Sequence, residues 1–80
     1  MITVHVKLFA MLRNQFPDLG IGEALAVDLP LGATVGRLIE QLDLPRDQVK
    51  VIFVNHIICK PDHRLSAGDK VGIFPPVGGG

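Results

Sequence analysis

Only one stretch of this sequence has the period of a helix long enough to cover anything. Val35, Leu38, Ile39 and Leu42 fall at i, i+3, i+4 and i+7; Thr34 is placed to cap the start, Arg37, Glu40, Gln41 and Asp43 occupy the other side, and Pro45 stops the run. The remaining regular segments read as strands, and the clearest of them repeats with period two. Ile2, Val4, Val6 and Leu8 alternate with Thr3, His5 and Lys7, the pattern of a strand with one buried face. One helix can cover one face of one sheet, so the chain is expected to be α+β, a mixed sheet of four to five strands with one main helix packed on one side. Eighty residues allow a single small domain and argue against a deep catalytic cleft or a second domain.

The other elements follow from punctuation. Residues 10–16 suit a short helix ended by Pro17, Gly20 and Gly22 mark a loop, and Ala24–Leu29 reads as a second strand. Val49–Val54 is a third strand, Asn55-His56 a tight turn, Ile57–Cys59 a short return strand, and Ala67-Gly68-Asp69 the turn into a last strand, Lys70–Phe74. The face away from the helix should be polar, yet Phe9 and Phe74 have the parity opposite to their strands' core residues, and Ile52 and Val54 share the parity of Lys50. Either an apolar patch lies on the open face, as at a partner surface, or a bulge shifts the parity by one.

Charge and cysteine content narrow the function classes. Eight basic residues balance eight acidic ones, and the halves are nearly even, with three basic and four acidic groups in residues 1–40 against five and four in 41–80. That distribution offers no nucleic-acid footprint and no polybasic membrane patch. No uncharged run approaches the ~20 residues needed to span a bilayer. The opening Met-Ile-Thr-Val-His-Val has neither a basic n-region nor an apolar h-region, so a cytoplasmic protein is expected. Cys59 is the single cysteine, which rules out an intrachain disulfide. His56, Cys59 and His63 have a ligand-like spacing, but residues three apart on a strand point to opposite faces, so no metal site is expected.

The last residues carry most of the information. Residues 1–74 read as the domain and 75–80 as an extended tail, Pro75-Pro76-Val77-Gly78-Gly79-Gly80. Two prolines lack N–H groups and cannot continue a ladder, so the chain must peel away at Pro75; they also favour the extended polyproline conformation. Six extended residues reach about 20 Å. A segment whose last three residues have no side chain can enter a channel too narrow for any Cβ and present a carboxylate at its far end.

In these features the sequence resembles the MoaD-type molybdopterin synthase small subunits of the MoaD/ThiS family. Val71-Gly72-Ile73-Phe74-Pro75-Pro76-Val77-Gly78-Gly79-Gly80 is similar to that family's hydrophobic-F-P-P-V-x-G-G ending, and Leu8-Phe9-Ala10-Met11-Leu12-Arg13 to its F-A-x-[LV]-R segment. Val54-Asn55 matches a V-N turn, and Leu65-Ser66-Ala67-Gly68-Asp69-Lys70-Val71 matches L-x-D-G-D-x-V. Two positions depart from the pattern: the turn is Asn55-His56 where the family usually has Asn-Gly, and Gly78 fills the variable position. The ThiS carriers of thiazole synthesis share the fold and the Gly-Gly end but typically lack Phe-Pro-Pro.

The resemblance implies a ubiquitin-like β-grasp fold and a sulfur carrier that is not itself an enzyme. It implies that the Gly80 carboxylate is adenylated by an E1-like adenylyltransferase using ATP, then converted to a thiocarboxylate (thioglycine). That sulfur would go to a pterin precursor of molybdenum cofactor held by the large synthase subunit, in a heterotetramer. Gly79, Gly78, Val77, Pro76 and Pro75 would thread the tail; Phe9, Phe74 and Arg13 would contact the partner. Core packing is the alternative for the two phenylalanines, and a solvated charge the alternative for Arg13. No bound cofactor, metal, nucleic acid or membrane is expected. Other sulfur acceptors (a tungsten cofactor, thiazole for thiamine, or tRNA) and a ubiquitin-like protein modifier are the competing readings.

Overall fold

In the computed structural model, which describes residues 1–20 and 22–76, the chain runs β1 (Ile2–Leu8), a 3₁₀ turn (Ala10–Gln15), β2 (Leu25–Leu29), α1 (Val35–Gln41), a second 3₁₀ turn (Arg46–Gln48), β3 (Val51–Val54), β4 (Ile57–Ile58) and β5 (Lys70–Phe74). The five strands form one mixed sheet in the order β2-β1-β5-β3-β4. β1 and β5 are parallel at its centre, and the other neighbours are antiparallel. The last strand therefore inserts between the first and the third. That topology, with one helix across one face, is the ubiquitin-like β-grasp.

Period-two burial drives the sheet. β1 alternates buried and exposed along its whole length, and Ile2, Val4, Val6 and Leu8 meet Val27, Leu29, Val71 and Ile73 on the helix side. α1 adds Val35, Leu38 and Ile39, and the first 3₁₀ turn closes one end of the core with Leu12, 1% exposed. At the helix start the Arg37 amide donates to Thr34 Oγ1 at 3.2 Å, so the cap sits where expected. The Val35 and Gly36 amides donate to His63 and Pro61 carbonyls, which ties the 60–66 loop onto this end of the helix. The helix ends before Pro45 through a Schellman arrangement: Asp43 takes φ +55°, Leu44 N–H donates to Ile39 O, and Asp43 N–H donates to Glu40 O.

Parity in the third strand resolves one open question. Ile52 and Val54 pair with Ile73 and Val71 and are buried, so they face the helix. Lys50 lies one residue before β3 and misleads about which side is polar. The residues facing outward are Val51 and Phe53, both half-buried. β3 also begins two residues later than expected, because the second 3₁₀ turn occupies residues 46–48 and the first paired residue is Val51. Cys59 is half-buried and packs against the core. No helix among the described residues is long and apolar enough to cross a membrane.

Candidate functional site

The open face of the sheet is divided into two regions by strand register. Lys7, Gly72, Phe53 and Ile58 lie in one row across β1, β5, β3 and β4, and Phe74 and Val51 lie in the next row toward the tail. Phe9 follows β1 directly. Its backbone stays extended, at φ −117° and ψ 151°, and its N–H donates to Ile73 O, so its ring keeps the outward parity and comes down beside Phe74. The two rings stack with centroids 4.0 Å apart and planes 6° from parallel. Phe53 meets Phe74 edge-on at 5.5 Å and 76°. Three of the four phenylalanines thus form one cluster on a face that no helix covers.

Gly72 makes this cluster compact. A Cβ built there would lie 3.5 Å from a Phe74 ring carbon, 3.6 Å from a Phe9 ring carbon and 4.0 Å from Phe53 Cβ. The rings therefore occupy the space above the glycine. Phe9, Phe53 and Phe74 rim a shallow depression of about 710 Å³ that continues past Gly72 toward His5, Lys7 and Lys70. Ile58, 68% exposed, continues the apolar surface to the sheet edge.

The tail starts inside this cluster. Phe74 is the last residue of β5; its carbonyl accepts from Lys50 N–H at 2.9 Å, and Pro75 and Pro76 follow at once. Val77, Gly78, Gly79 and Gly80, named from the sequence for threading and chemistry, lie outside the described residues.

Of the expected contact residues, Phe9 and Phe74 come together on the open face, and neither is among the fully buried core residues. Arg13 makes a contact within the chain: its Nη2 donates to Leu19 O at 3.0 Å, holding the loop that follows the first 3₁₀ turn. Sequence reasoning missed Phe53 and Ile58. Parity would have found Phe53 once Ile52 and Val54 were taken as the core pair.

The Asn55-His56 turn fixes the opposite end of the face. Both residues have positive φ, +51° and +72°, as a type I′ hairpin turn requires. Asn55 Nδ2 donates to Asp69 Oδ1 at 2.9 Å and Asn55 Oδ1 accepts from Lys70 N–H at 3.0 Å, joining this turn to the start of β5. Among the described residues, no group of three or more His, Cys, Asp or Glu side chains is placed to hold a metal ion. The described open face thus joins an aromatic cluster to the root of the Pro75-Pro76 segment.

Residues 6–80 match the family model described as the ThiS family. The chain is also similar to a Pyrococcus furiosus protein assigned as molybdopterin converting factor subunit 1, with 31% identity over 96% of this chain and 100% of that one and a TM-score of 0.75. It is similar to small archaeal modifier protein 1 of Haloferax volcanii, with 25% identity over 96% of this chain and 100% of that one and a TM-score of 0.74. The Haloferax volcanii HVO 2177 protein shares the fold at 23% identity, 99% and 87% coverage and a TM-score of 0.75. No curated protein matches the sequence.

Proposed function

This chain belongs to the ThiS family, small ThiS- and MoaD-type sulfur carriers or ubiquitin-like modifiers, and we propose that it is a sulfur carrier whose Gly80 thiocarboxylate supplies sulfur to a pterin precursor of molybdenum cofactor. The observation that carries this reading is the position of Phe74. It belongs at once to the aromatic cluster and to the root of the tail, so a protein that grips the cluster receives the tail beside its grip. Phe-Pro-Pro at this junction supports the molybdopterin branch over the thiazole branch, as does the similarity to the Pyrococcus furiosus protein.

The chemistry follows from the terminus. An α-carboxylate with a pKa of roughly 3.3–3.7 is ionised at neutral pH and is a poor electrophile. On the activating enzyme, a Gly80 oxygen attacks the α-phosphorus of ATP and pyrophosphate leaves. A persulfide sulfur then attacks the Gly80 carbonyl carbon and AMP leaves. Cleavage of the resulting acyl disulfide by a second thiol gives the thiocarboxylate and a protein disulfide. Gly79 and Gly80 present no Cβ to hinder either attack, and Pro75 and Pro76 restrict the tail before it is bound. The partners are the E1-like adenylyltransferase and the large synthase subunit, which supply the catalytic groups.

The test is the intact mass of the protein after incubation with its organism's activating enzyme, ATP and a sulfur donor. Replacement of one oxygen by sulfur, abolished when Gly80 is deleted, is the expected result. An unchanged mass with an activating enzyme shown to be competent would refute the carrier role. The similarity to the small archaeal modifier favours a second reading, conjugation through Gly80 to lysines of other proteins. Isopeptide-linked adducts in cell extract would establish it.

A further inference from the structure

The chain is neutral overall, but its open face is not. His5 pairs with Lys70 across β1 and β5, Lys7 sits opposite Gly72, and His56 lies at the turn beyond Phe53. His5, Lys7, His56 and Lys70 are all exposed. Among the described residues the single ion pair is Arg46–Glu40, so neither lysine has an ionic partner among them. The two nearest carboxylates lie at the margins, held by neutral donors and in no ion pair with either lysine: Asp28 accepts from Thr3 at the far corner of the face, and Asp69 accepts from Asn55 and the Ser66 amide in the turn. The face therefore has an apolar half at the tail and a basic half beside it.

Resting on the docking role given to this face above, we infer that the activating partner presents carboxylates opposite Lys7 and Lys70, bordering an apolar seat for Phe9, Phe53 and Phe74. Docking on the phenylalanines brings both ammonium groups to the margin of a desolvated contact, where an uncharged or basic partner surface would leave them unpaired. Carboxylates there complete the pairing, steer the encounter and fix which way round the face docks, and so where the tail points. A second copy of this chain would bring the same cations and one far-corner carboxylate, which makes self-association through this face a poor match.

The experiment measures association and dissociation rates between the full chain and its organism's E1-like adenylyltransferase at several salt concentrations. K7E/K70E is compared with K60E/R64E, which makes the same change of net charge on the loop at the helix start, and with F74A. The neutral pair K7Q/K70Q guards against misfolding of the charge reversal, and all variants are checked by thermal unfolding. At low salt, K7E/K70E should associate at least about tenfold more slowly, with K7Q/K70Q intermediate and K60E/R64E near wild type. The face variants should also show a flatter salt dependence. F74A should act through faster dissociation. If F74A weakens binding while K7E/K70E behaves like K60E/R64E, or binds faster, the acidic border is refuted and the docking role stands. If neither F74A nor the lysine variants change binding, the docking role falls as well. Concentration-dependent self-association of the chain alone, abolished by F74A, would also overturn the inference.

Discussion

Gly72 separates two effects that usually act together in a strand. It sits in the central strand β5 between β1 and β3, where intrinsic preference favours Val over Ala and Ala over Gly. The contacts above it impose a different order. A Cβ at 3.5 Å and 3.6 Å from the Phe74 and Phe9 rings is in ordinary van der Waals contact, so Gly72→Ala fits without moving either ring. Its φ is not in the left-handed region, so removal of the glycine's unfolded-state freedom should stabilise the domain by about 0.4–1 kcal/mol. For a domain of this size that is a rise in Tm of roughly 2–8 °C. Gly72→Val adds two methyl groups beyond Cβ, in space already held by ring carbons. The rings must part, losing about 0.5–1.5 kcal/mol of aromatic pairing, with a further ~1–3 kcal/mol of overpacking strain if they cannot separate freely.

The order of stability should therefore be Ala above Gly above Val, measured as urea midpoints with slopes compared for two-state behaviour. Partner affinity should follow the stacking: near wild type for Gly72→Ala, and at least about tenfold weaker for Gly72→Val. A Val variant as stable as the Ala variant would show that strand preference dominates. It would refute the argument that the cluster depends on the empty space over residue 72.

Substitutions at three other places test separate features. His56→Gly removes a side chain from φ +72° and should gain about 0.5–1 kcal/mol, read as a higher urea midpoint at unchanged slope. Asn55→Ala should cost about 1–3 kcal/mol, because it loses the bonds to Asp69 and Lys70 and keeps φ +51°; Asn55→Gly should recover the backbone part alone, so the difference between the two isolates the strain. Replacing Pro75 and Pro76 with Gly should leave thermal stability unchanged. It should weaken binding to the activating enzyme by roughly two- to fivefold per proline, measured by titration, because the freed tail loses more entropy when gripped.

Most of the scaffold is legible because it is set by period. The alternation in β1 and the i, i+3, i+4, i+7 stripe of α1 leave little choice about which side is buried, and both elements appear within a residue of their expected limits. The second 3₁₀ turn spans three residues, too few to carry a period, and it displaced the start of β3. Strand order is a different matter. Nothing local in Lys70–Phe74 says that it runs beside β1, since that pairing is long-range and parallel. Arg13 shows the limit for single side chains: its bond to the Leu19 carbonyl depends on how the loop folds back. Phe53 was readable in principle, but only relative to a core register for β3 that Lys50 obscured.

The distribution of large side chains explains why one small sheet can serve two purposes. Every residue of the buried core is aliphatic: Ile, Val, Leu and Ala fill the space between sheet and helix, and no phenylalanine is among them. A domain of this size has little apolar burial to spare, and a phenylalanine can bury roughly 150–250 Å². Had folding alone set the composition, the aromatic side chains would be expected inside. Instead Phe16 packs only partly against the core, and Phe9, Phe53 and Phe74 are held together on the open face by register, by the extended backbone at Phe9 and by the missing side chain at residue 72. They are left half-buried, and the proposed partner would complete their burial by covering them. Because Phe74 is joined directly to Pro75, such a surface would also fix the root of the tail. The aliphatic face holds the fold together, and on the proposed carrier reading the aromatic face would couple recognition to delivery.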